Sequence, residues 1–540
     1  MGIMINLDCD VFYHSRRNMA DSVDEAYVRK YIDQYKGTSV SDIVFNVGGL
    51  LSSTPSNVRS TYADRALAAE QLAREKGEAF TWGCAPVVKR LNALGLDVYR
   101  IWIDRCRENG ITPWISFRMN DCHNLFIEDD PLVPPEVAEH FADYSVVRHH
   151  RQIGWFDRCQ DYALEAVRKR HLDYIEEQLF RYEPDGIELD FQRELNCFRP
   201  GFEWSGMEIM TGFMQEVKAI VCQAEAKLGK KVKISVRCNQ NPQYCMEWGF
   251  DIIQWARLGL MDVFVPSPRW NCTDTDIPVK LWKRILSPYG IPIIPGIDSQ
   301  NIHPHPQSFM DKGHTVCGTV ETTLAMAANF LTQGADGVYL FNYFNELPEE
   351  MITEENRMLT DNNNIFTAAG YYKVLMTAGN YDAVIQEKRR HMITYNDKEP
   401  LCRKNDAALP LVVGGVYNQS FHSNGECNPR YLRFATGTIP GDKSCMLRLG
   451  IYTESFDVQD VEVYVNCHKA ELAGTEEQGE PYFGISPVYG ENDLRSTPLV
   501  YTFRVPREAI EPEVQVAEIL LKEGLEKKAF IIDYADWNVE

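Results

Sequence analysis

The chain has 540 residues, which is too long for one typical domain and predicts two or three. Hydrophobic residues make up 44% of it and charged residues 24%, which is typical of a folded globular protein and not of a disordered one. The formal net charge of −22 argues against non-specific binding to nucleic acid, which needs clustered lysines and arginines. No apolar run approaches the roughly 20 residues of a membrane helix, so no membrane partner is expected.

The amino terminus and the cysteines indicate a cytoplasmic protein. The opening "MGIMINLDCDVFY" has no basic region ahead of an apolar one, so it does not resemble a signal peptide; an exported form with a trimmed signal would look the same. The 15 cysteines are scattered and contain no CxxC pair, which is typical of reduced thiols and not of a disulfide framework or a zinc site. We expect no cofactor and no metal.

Short apolar segments alternate with longer amphipathic ones from residue 1 to about 345. The segments that predict strands are 4–10, 42–49, 111–118, 186–191, 232–237, 262–266, 291–298 and 337–344. The helical patterns include 87–109, 160–182, 206–229 and 320–334. This alternation predicts a parallel sheet covered by helices, and eight repeats predict a (β/α)8 TIM barrel of the α/β class. A doubly wound sheet is disfavoured, because neither GxGxxG nor GxxxxGK[ST] occurs.

The pattern changes after about residue 380. Segments such as "RYLRFATG", "VEVYVNC" and "LVYTFRVP" alternate apolar and polar residues between turns, which predicts an antiparallel β-sandwich. We therefore predict a barrel domain over 1–380 and a β-sandwich domain over 381–540, with the boundary between about 375 and 405.

Polar residues stand at the ends of the predicted barrel strands, where the active site of such a barrel lies. The candidates are Asp8 and Asp10; Asn46; Arg118, Asn120, Asp121 and His123; Glu188, Asp190 and Arg193; Arg237 and Asn239; Arg269; Asp298; and Asn342. Charges on the helix-facing side of a strand would be buried in apolar packing at several kcal/mol each, so we expect this set to face the barrel interior. One such cluster is explained by a structural ion-pair network, but clusters at six or more strand ends favour a binding or catalytic site.

The carboxylates suit glycoside hydrolysis, which needs a proton donor at the departing oxygen and a base or nucleophile at the anomeric carbon. Glu188 and Asp190 are two residues apart on one strand, so they point the same way roughly 6.5 Å apart. We expect Asp190 at the rim to act on substrate and Glu188, one layer deeper, to hold its neighbours in place, paired with an arginine of the barrel.

Four arginines follow strands three to six: Arg118, Arg193, Arg237 and Arg269. Guanidinium groups hold carboxylates in bidentate fashion, so two or more converging there suit a sugar with an acidic group. The alternative is that each arginine pairs with an aspartate or glutamate of the same rim. Trp270, directly after the sixth strand, is the candidate for stacking on a sugar ring.

Three segments, "YEPDGIELDFQRE" (182–194), "SFRMNDCH" (116–123) and "GADGVYLFNYF" (334–344), resemble a glycoside-hydrolase-like (β/α)8 group over about residues 1–375. The segment "NLDCD" (6–10) looks like the first strand of that group. The spacing of Arg118 and His123 is similar to that of the inverting exo-sialidase family. That resemblance implies a catalytic pair of His123 with Asp8 or Asp10. It also implies that Arg118, Arg193 and Asn342 face the substrate.

These observations together predict a glycoside hydrolase that cleaves terminal sugars by acid/base chemistry, with sialic or uronic acids preferred. The candidate catalytic residues are Asp190, His123, Asp10, Asp8 and Asp121. The candidate binding residues are Arg118, Arg193, Arg237, Asn239, Asn342, Asn46, Glu188, Arg269, Trp270 and Asp298. The alternatives are a retaining glycosidase on neutral sugars with Asp190 as nucleophile, and a barrel that binds carbohydrate without catalysis. The expected partner is a glycan or a small sugar, and a homodimer is a further candidate. The carboxyl-terminal domain is a candidate for packing on the barrel, for dimerisation or for binding glycan.

Overall fold

The structure is a computed structural model that describes residues 2–8, 10–77, 84–122, 133, 135–147, 155–268, 274–298, 301–302, 316–341, 343, 357–359, 365–394, 408–409, 411–414, 431–452, 457–477, 499–522, 524–525 and 528–540. The chain divides into two compact units. The first comprises Met1–Trp270, Pro278–Gly296 and Tyr339–Ile352, and the second comprises Asn271–Ile277, Ile297–Val338 and Thr353–Glu540. Within the described ranges, every helix is too short or too polar to cross a membrane.

Eight strands form one sheet: β1 Ile3–Leu7, β2 Val40–Asn46, β3 Thr112–Arg118, β4 Gly186–Asp190, β5 Lys233–Asn239, β6 Val263–Ser267, β7 Gly296–Asp298 and β8 Val338–Phe341. Their order is β6-β5-β4-β3-β2-β1-β8-β7, and β1 to β6 pair in parallel. The ring closes at Phe264 of β6, which accepts a hydrogen bond from the backbone N–H of Ile294 and donates one to the carbonyl of Pro292, each at 3.0 Å. The predicted (β/α)8 barrel is confirmed.

The α-helices among the described residues are Asp10–Ser15, Glu25–Asp33, Tyr62–Glu75, Ala85–Leu94, Val98–Glu108, Pro135–Ala138, Phe141–Tyr144, Glu165–Tyr182, Glu203–Leu228, Pro242–Glu247, Ile252–Arg257, Val279–Leu286, Val320–Thr332, Ala368–Thr377 and Tyr381–Val384. The segment 87–109, predicted as one helix, forms two. Gly95 ends the first with φ of 67°, and the Asp97 side chain accepts a hydrogen bond from Arg100 N at the start of the second.

The barrel interior is filled by large apolar side chains at its lower level and by polar ones above. Trp114 of β3 is fully buried and donates a hydrogen bond from Nε1 to Asp42 of β2 at 2.8 Å. Gly186 on the neighbouring strand leaves room for it, because a Cβ there would lie 2.1 Å from the indole ring. Bulky packing below therefore leaves the carboxyl ends of the strands to carry polar groups.

The first strand is shorter than predicted, which changes how its aspartates are placed. β1 ends at Leu7, and a helix begins at Asp10 after Val11 N–H donates to the Asp8 carbonyl at 3.2 Å. The two-residue alternation of a strand therefore places Asn6 in the barrel but does not extend to Asp10. The side chain of Asp10 lies outside the described part of the structure.

Two larger antiparallel sheets of the second unit share an apolar core, and two short antiparallel pairs lie in the same unit, Asn301–Ile302 with Val316–Cys317 and Arg357–Leu359 with Ile365–Thr367. One larger sheet is built from Arg389–Met392, Leu411–Gly414, Cys445–Tyr452, Glu471–Glu477, Leu499–Arg504 and Ala529–Val539, and the other from Tyr431–Ala435, Val461–Val465, His468–Lys469 and Val514–Leu521. Leu447, Leu449 and Trp537 of the first sheet pack in one buried cluster with Val463 and Ile519 of the second. This confirms the predicted β-sandwich, since two sheets burying one core define that fold.

Candidate active site

Glu188 of β4 lies at the centre of the polar level of the barrel. Its Oε1 accepts hydrogen bonds from Asn6 Nδ2 at 3.3 Å, Ser116 Oγ at 2.8 Å and the Tyr339 hydroxyl at 2.9 Å. Glu188 is 0% exposed, and its Oε2 has no hydrogen-bond partner among the residues that the structure describes. Burial first, and then the negative charge of Asp190, raise the pKa of Glu188 to about 7. A carboxyl held in this way suits the positioning of neighbouring groups.

Asp190 and Arg237 form a buried ion pair one level closer to the mouth. Arg237 Nη1 donates to Asp190 Oδ1 at 2.9 Å and to Oδ2 at 3.1 Å, and its Nε donates to Ser267 at 3.2 Å. The guanidinium carbon lies 3.8 Å from the centre of the Phe341 ring. Asp190 and Arg237 face each other because they are register partners on adjacent parallel strands. The pair is therefore a buried ion pair at the carboxyl ends of β4 and β5.

Arg118 of β3 joins two aspartates at the mouth of the barrel. Its Nη2 donates to Asp8 Oδ2 at 2.5 Å, and its Nη1 lies 3.5 Å from Asp121 Oδ2. The Asp8 side chain is 26% exposed whereas that of Asp121 is 4% exposed, so Asp8 is the carboxylate that reaches solvent. Burial by itself lowers the pKa of Arg118, but the carboxylates of Asp8 and Asp121 outweigh it and raise that pKa well above its usual value.

A second arginine lies close to this group. Arg193, in the loop after β4, is buried, and its Nε lies 3.9 Å from Glu194 Oε1. Burial first, and then the positive charge of Arg118, lower the pKa of Arg193. Asp121 and Asp8 act on Arg193 in the opposite direction. Five charged groups from three segments therefore interact at one rim of the barrel.

The loop after β2 packs directly on this rim. A Cβ at Gly49 would lie 2.4 Å from the Asp121 Cβ, so a residue without a side chain is needed there. Asn46 uses its Oδ1 to accept the Gly48 N–H at 2.6 Å, and on β5 the Asn239 Oδ1 accepts the Asn241 N–H at 3.0 Å. Both asparagines thus order the loops that follow their strands.

The remaining predicted residues are placed less completely. Asp298 ends β7 and is fully buried, within the second compact unit. His123, Arg269, Trp270 and Asn342 lie outside the described residues. Asn120, at the end of "SFRMN", donates from Nδ2 to the Asn196 carbonyl at 2.9 Å and accepts the Gln160 N–H at 2.6 Å, so it fixes two loops to the rim.

Tyr339 is one of several residues of this cluster, with Asn6 and Ser116, that were not among the predicted site residues. It lies on β8 at the position before Leu340, and its side chain points inward to Glu188, like Phe341 two residues later. The alternation within "GVYLF" is the signal that identifies it, because period-two spacing assigns Tyr339 and Phe341 to one face. Among the described residues, no three His, Cys, Asp or Glu side chains are grouped as a metal site.

Comparison with known proteins leaves the family open. No family model and no curated protein matches the chain. Among solved structures it is similar to α-amylase from Geobacillus thermoleovorans in complex with acarbose, at 10% identity and a TM-score of 0.35, over 100% of this chain and 98% of the other. It is similar to the glycoside hydrolase domain of PelA from Pseudomonas aeruginosa at 15% identity and a TM-score of 0.26, over 45% of this chain and 83% of the other. A group IV chitinase from Ostrinia furnacalis is similar at 8% identity and a TM-score of 0.33, over 63% of this chain and 91% of the other. These structures are glycoside hydrolases, but similarity this low carries no argument about activity.

Proposed function

We propose that this protein is a glycoside hydrolase that removes a terminal acidic sugar at the mouth of its barrel. The observation that carries the proposal is the contact between Asp8 and Arg118: a partly exposed carboxylate is held by a buried guanidinium at 2.5 Å, at the end of β1. The carboxyl ends of the strands are where barrel enzymes place their reactive groups. A carboxylate so oriented meets the requirement of glycoside hydrolysis for a base or nucleophile.

The preference for an acidic sugar rests on the two arginines at the rim. Arg118 and Arg193 are close enough for the charge of the first to lower the pKa of the second. Guanidinium groups hold carboxylates in bidentate fashion, so a sugar carboxylate would bind here in competition with Asp8, Asp121 and Glu194, which already lie beside the two arginines. Arg237 is not part of this proposal, because its Nη1 is directed at Asp190.

We assign the roles as follows. Asp8 acts as base or nucleophile. Asp121 and Asp8 together orient Arg118. The acid that works with Asp8 is His123, a role implied by the resemblance to the exo-sialidase family. Asp190 holds Arg237 in place and does not act on substrate in this proposal, since its side chain is 1% exposed and both its oxygens are bonded to that arginine.

Hydrolysis of a neutral sugar is the second candidate. The rim residues Asp8, Asp121 and Glu194 carry one more negative charge than Arg118 and Arg193 together carry positive charge, and each arginine lies beside a carboxylate. That balance favours a substrate without a charge of its own. In this alternative Asp190 is the nucleophile, and the Asp190–Arg237 pair has to open for the sugar to reach it.

A panel of aryl glycosides that contains sialosides, glucuronides and neutral glycosides tests the proposal. We expect release of the aryl group from an acidic glycoside, and a loss of kcat of about 10²- to 10⁴-fold in Asp8→Asn. Asp33→Asn is the matched control, since Asp33 is also bonded to an arginine, at 2.7 Å from Arg105 Nε, but lies on an outer helix. Turnover of neutral glycosides alone would support the second candidate. Full activity of Asp8→Asn would refute the assignment of that residue.

A further inference from the structure

A buried arginine, Arg59, lies behind the loop that follows β2. Its guanidinium group donates from Nη1 to the backbone carbonyl of Gly49, and from Nη2 to His171 Nδ1 at 3.0 Å. The guanidinium carbon lies 4.3 Å from the centre of the Tyr174 ring. Arg59 and His171 are 4% and 5% exposed, so solvent competes little for these bonds. Arg59 therefore joins the loop to the helix Glu165–Tyr182.

The bond from Arg59 determines which nitrogen of His171 carries the proton. A guanidinium group has donors and no acceptor, so Nδ1 must accept, and the proton of the neutral ring is on Nε2. Nε2 lies 3.2 Å from Gln160 Oε1, which accepts its hydrogen bond. Burial first, and then the charges of Arg59 and Arg170, hold the pKa of His171 well below its usual range, so the ring is neutral. Nδ1 thus accepts from Arg59, and Nε2 donates to Gln160.

Gln160 continues this connection to the end of β3. Its backbone N–H donates to Asn120 Oδ1 at 2.6 Å, and both residues are buried. Asn120 is the residue before Asp121 in the sequence. The hydrogen bonds that run from Arg59 through His171 and Gln160 therefore end beside Asp121.

The loop after β2 contacts the rim directly. The backbone N–H of Arg118 donates to the Gly48 carbonyl at 3.2 Å. At Gly49, the Cβ of Asp121 occupies the space of a side chain, since a Cβ there would lie 2.4 Å from it. The Gly49 carbonyl is the atom that Arg59 holds. A shift of this loop would therefore move Asp121, Arg118 or both.

Two further side chains of the same helix hold the loop. The Tyr174 hydroxyl donates to the Val47 carbonyl at 2.6 Å and lies 2.7 Å from Ser52 Oγ. Arg170 Nη2 donates to the Leu50 carbonyl at 3.2 Å. Because the loop is held at several points, we expect the loss of one contact to shift it without detaching it from the helix.

We propose that Arg59 and His171 are positioning residues of the candidate active site, an inference that rests on the proposed function. They hold the loop after β2 and the end of β3 in the arrangement that places Asp121 beside Arg118. They act through these neighbours and not on the substrate. The Nε2–H form of His171 is part of the arrangement, because a proton on Nδ1 would face the guanidinium group instead of accepting from it.

Heteronuclear NMR of the full chain with isotope-labelled histidine and arginine tests the arrangement without turnover. We expect His171, identified by the signal that is lost in His171→Leu, to be in the neutral Nε2–H form. In Arg59→Met, that tautomer signature should change, and the Nε signal of Arg118, identified by Arg118→Lys, should shift. A wild-type His171 with its proton on Nδ1, or an Arg118 signal that is the same in Arg59→Met and the wild type, would overturn the proposal.

Arg100→Met is the matched control. Arg100 also donates to backbone carbonyls, those of Arg181 and Tyr182, and its guanidinium carbon lies 5.6 Å from the centre of the Tyr182 ring. These contacts are at the end of the same helix, about 16 Å along its axis from His171. The Arg118 signal should therefore be unchanged in Arg100→Met, and a shift as large as in Arg59→Met would contradict the proposal.

Kinetics on the aryl glycoside panel connect the arrangement to the reaction. We expect Arg59→Met and His171→Leu to lower kcat by about 10- to 100-fold with a smaller change in KM, as misplacement of about 1 Å does in active sites. Arg59→Lys, which keeps a donor, should recover part of the loss, and it repeats the NMR test if the methionine variant does not fold.

The outcomes separate this inference from the proposed function. Full activity of Arg59→Met would overturn the positioning role even if hydrolysis of an acidic glycoside is confirmed. No hydrolysis of any glycoside by the wild type, together with the NMR changes in Arg59→Met, would refute the proposed function while supporting the positioning of the rim by Arg59.

Discussion

Arg237 binds both carboxylate oxygens of Asp190, at 2.9 and 3.1 Å, and neither side chain is more than 1% exposed. Removing one partner of such a pair leaves the other charge buried without compensation. We expect Arg237→Met to lower the free energy of unfolding by about 3–5 kcal/mol. The double variant Arg237→Met/Asp190→Asn should have a free energy of unfolding higher than that of Arg237→Met by more than about 1 kcal/mol, because the two residues are coupled. Urea denaturation followed by tryptophan fluorescence measures both.

The surface pair of Arg105 and Asp33 is the control for that experiment. Their side chains are 26% and 33% exposed, so Arg105→Met should cost no more than about 1 kcal/mol. Equal losses in Arg237→Met and Arg105→Met would contradict the structural role of the buried pair.

The pH dependence of stability should report on Glu188. Its pKa in the folded protein, about 7, lies above the ordinary value of 4.5, so the folded state keeps a proton that the unfolded chain releases. The stability that this group contributes is full below pH 4.5 and is lost as the pH rises to about 7, by up to about 3 kcal/mol. Glu188→Gln should remove this slope between pH 4.5 and 7. Glu216 lies on the exposed face of a helix, so Glu216→Gln should show the same pH slope as the wild type. A free energy of unfolding that falls with pH in Glu188→Gln as steeply as in the wild type would disprove the prediction.

Gly49 should control activity through Asp121. An alanine Cβ would lie 2.4 Å from the Asp121 Cβ, so the loop or the aspartate has to move, and Arg118 with it. We expect Gly49→Ala to lower kcat/KM on the true substrate by about 10- to 100-fold, as misplacement of about 1 Å does in active sites. Gly212 lies within a helix, and a Cβ there would meet open space. Gly212→Ala should therefore keep full activity and raise the free energy of unfolding by about 0.5–1 kcal/mol. An active Gly49→Ala enzyme would exclude Asp121 from the site.

The β-sandwich has its own buried charge network around Asp536. This fully buried carboxylate accepts hydrogen bonds from Arg390 Nε at 2.8 Å and from Arg448 Nε at 2.7 Å. Asp536→Ala leaves two guanidinium groups without this partner, so we expect a loss of about 3–5 kcal/mol for the sandwich, read from hydrogen exchange of its strands. Glu462→Gln, which breaks an exposed pair with Lys469, should leave hydrogen exchange of the sandwich strands unchanged, because solvent screens exposed ion pairs.

The fold class followed from the sequence because it depends on local pattern. Apolar segments that alternate with amphipathic ones predict strands and helices wherever they lie, and a two-residue period predicts the sandwich. The predicted ends of two elements were wrong. The segment 87–109 is divided into two helices at Gly95, and the predicted strand 4–10 ends at Leu7 because a helix begins at Asp10. The sequence therefore determined the elements and their order, with uncertain ends.

Which polar groups meet was decided by tertiary structure alone. Strand alternation predicted that Glu188, Asp190 and Arg237 face inward, but not that Arg237 lies opposite Asp190. That contact depends on the register of β4 against β5, which pairs the two residues across the sheet. Tyr339 reaches Glu188 from a strand 151 residues away for the same reason. Register and barrel closure arise from packing of the whole interior, so no short stretch of sequence encodes them.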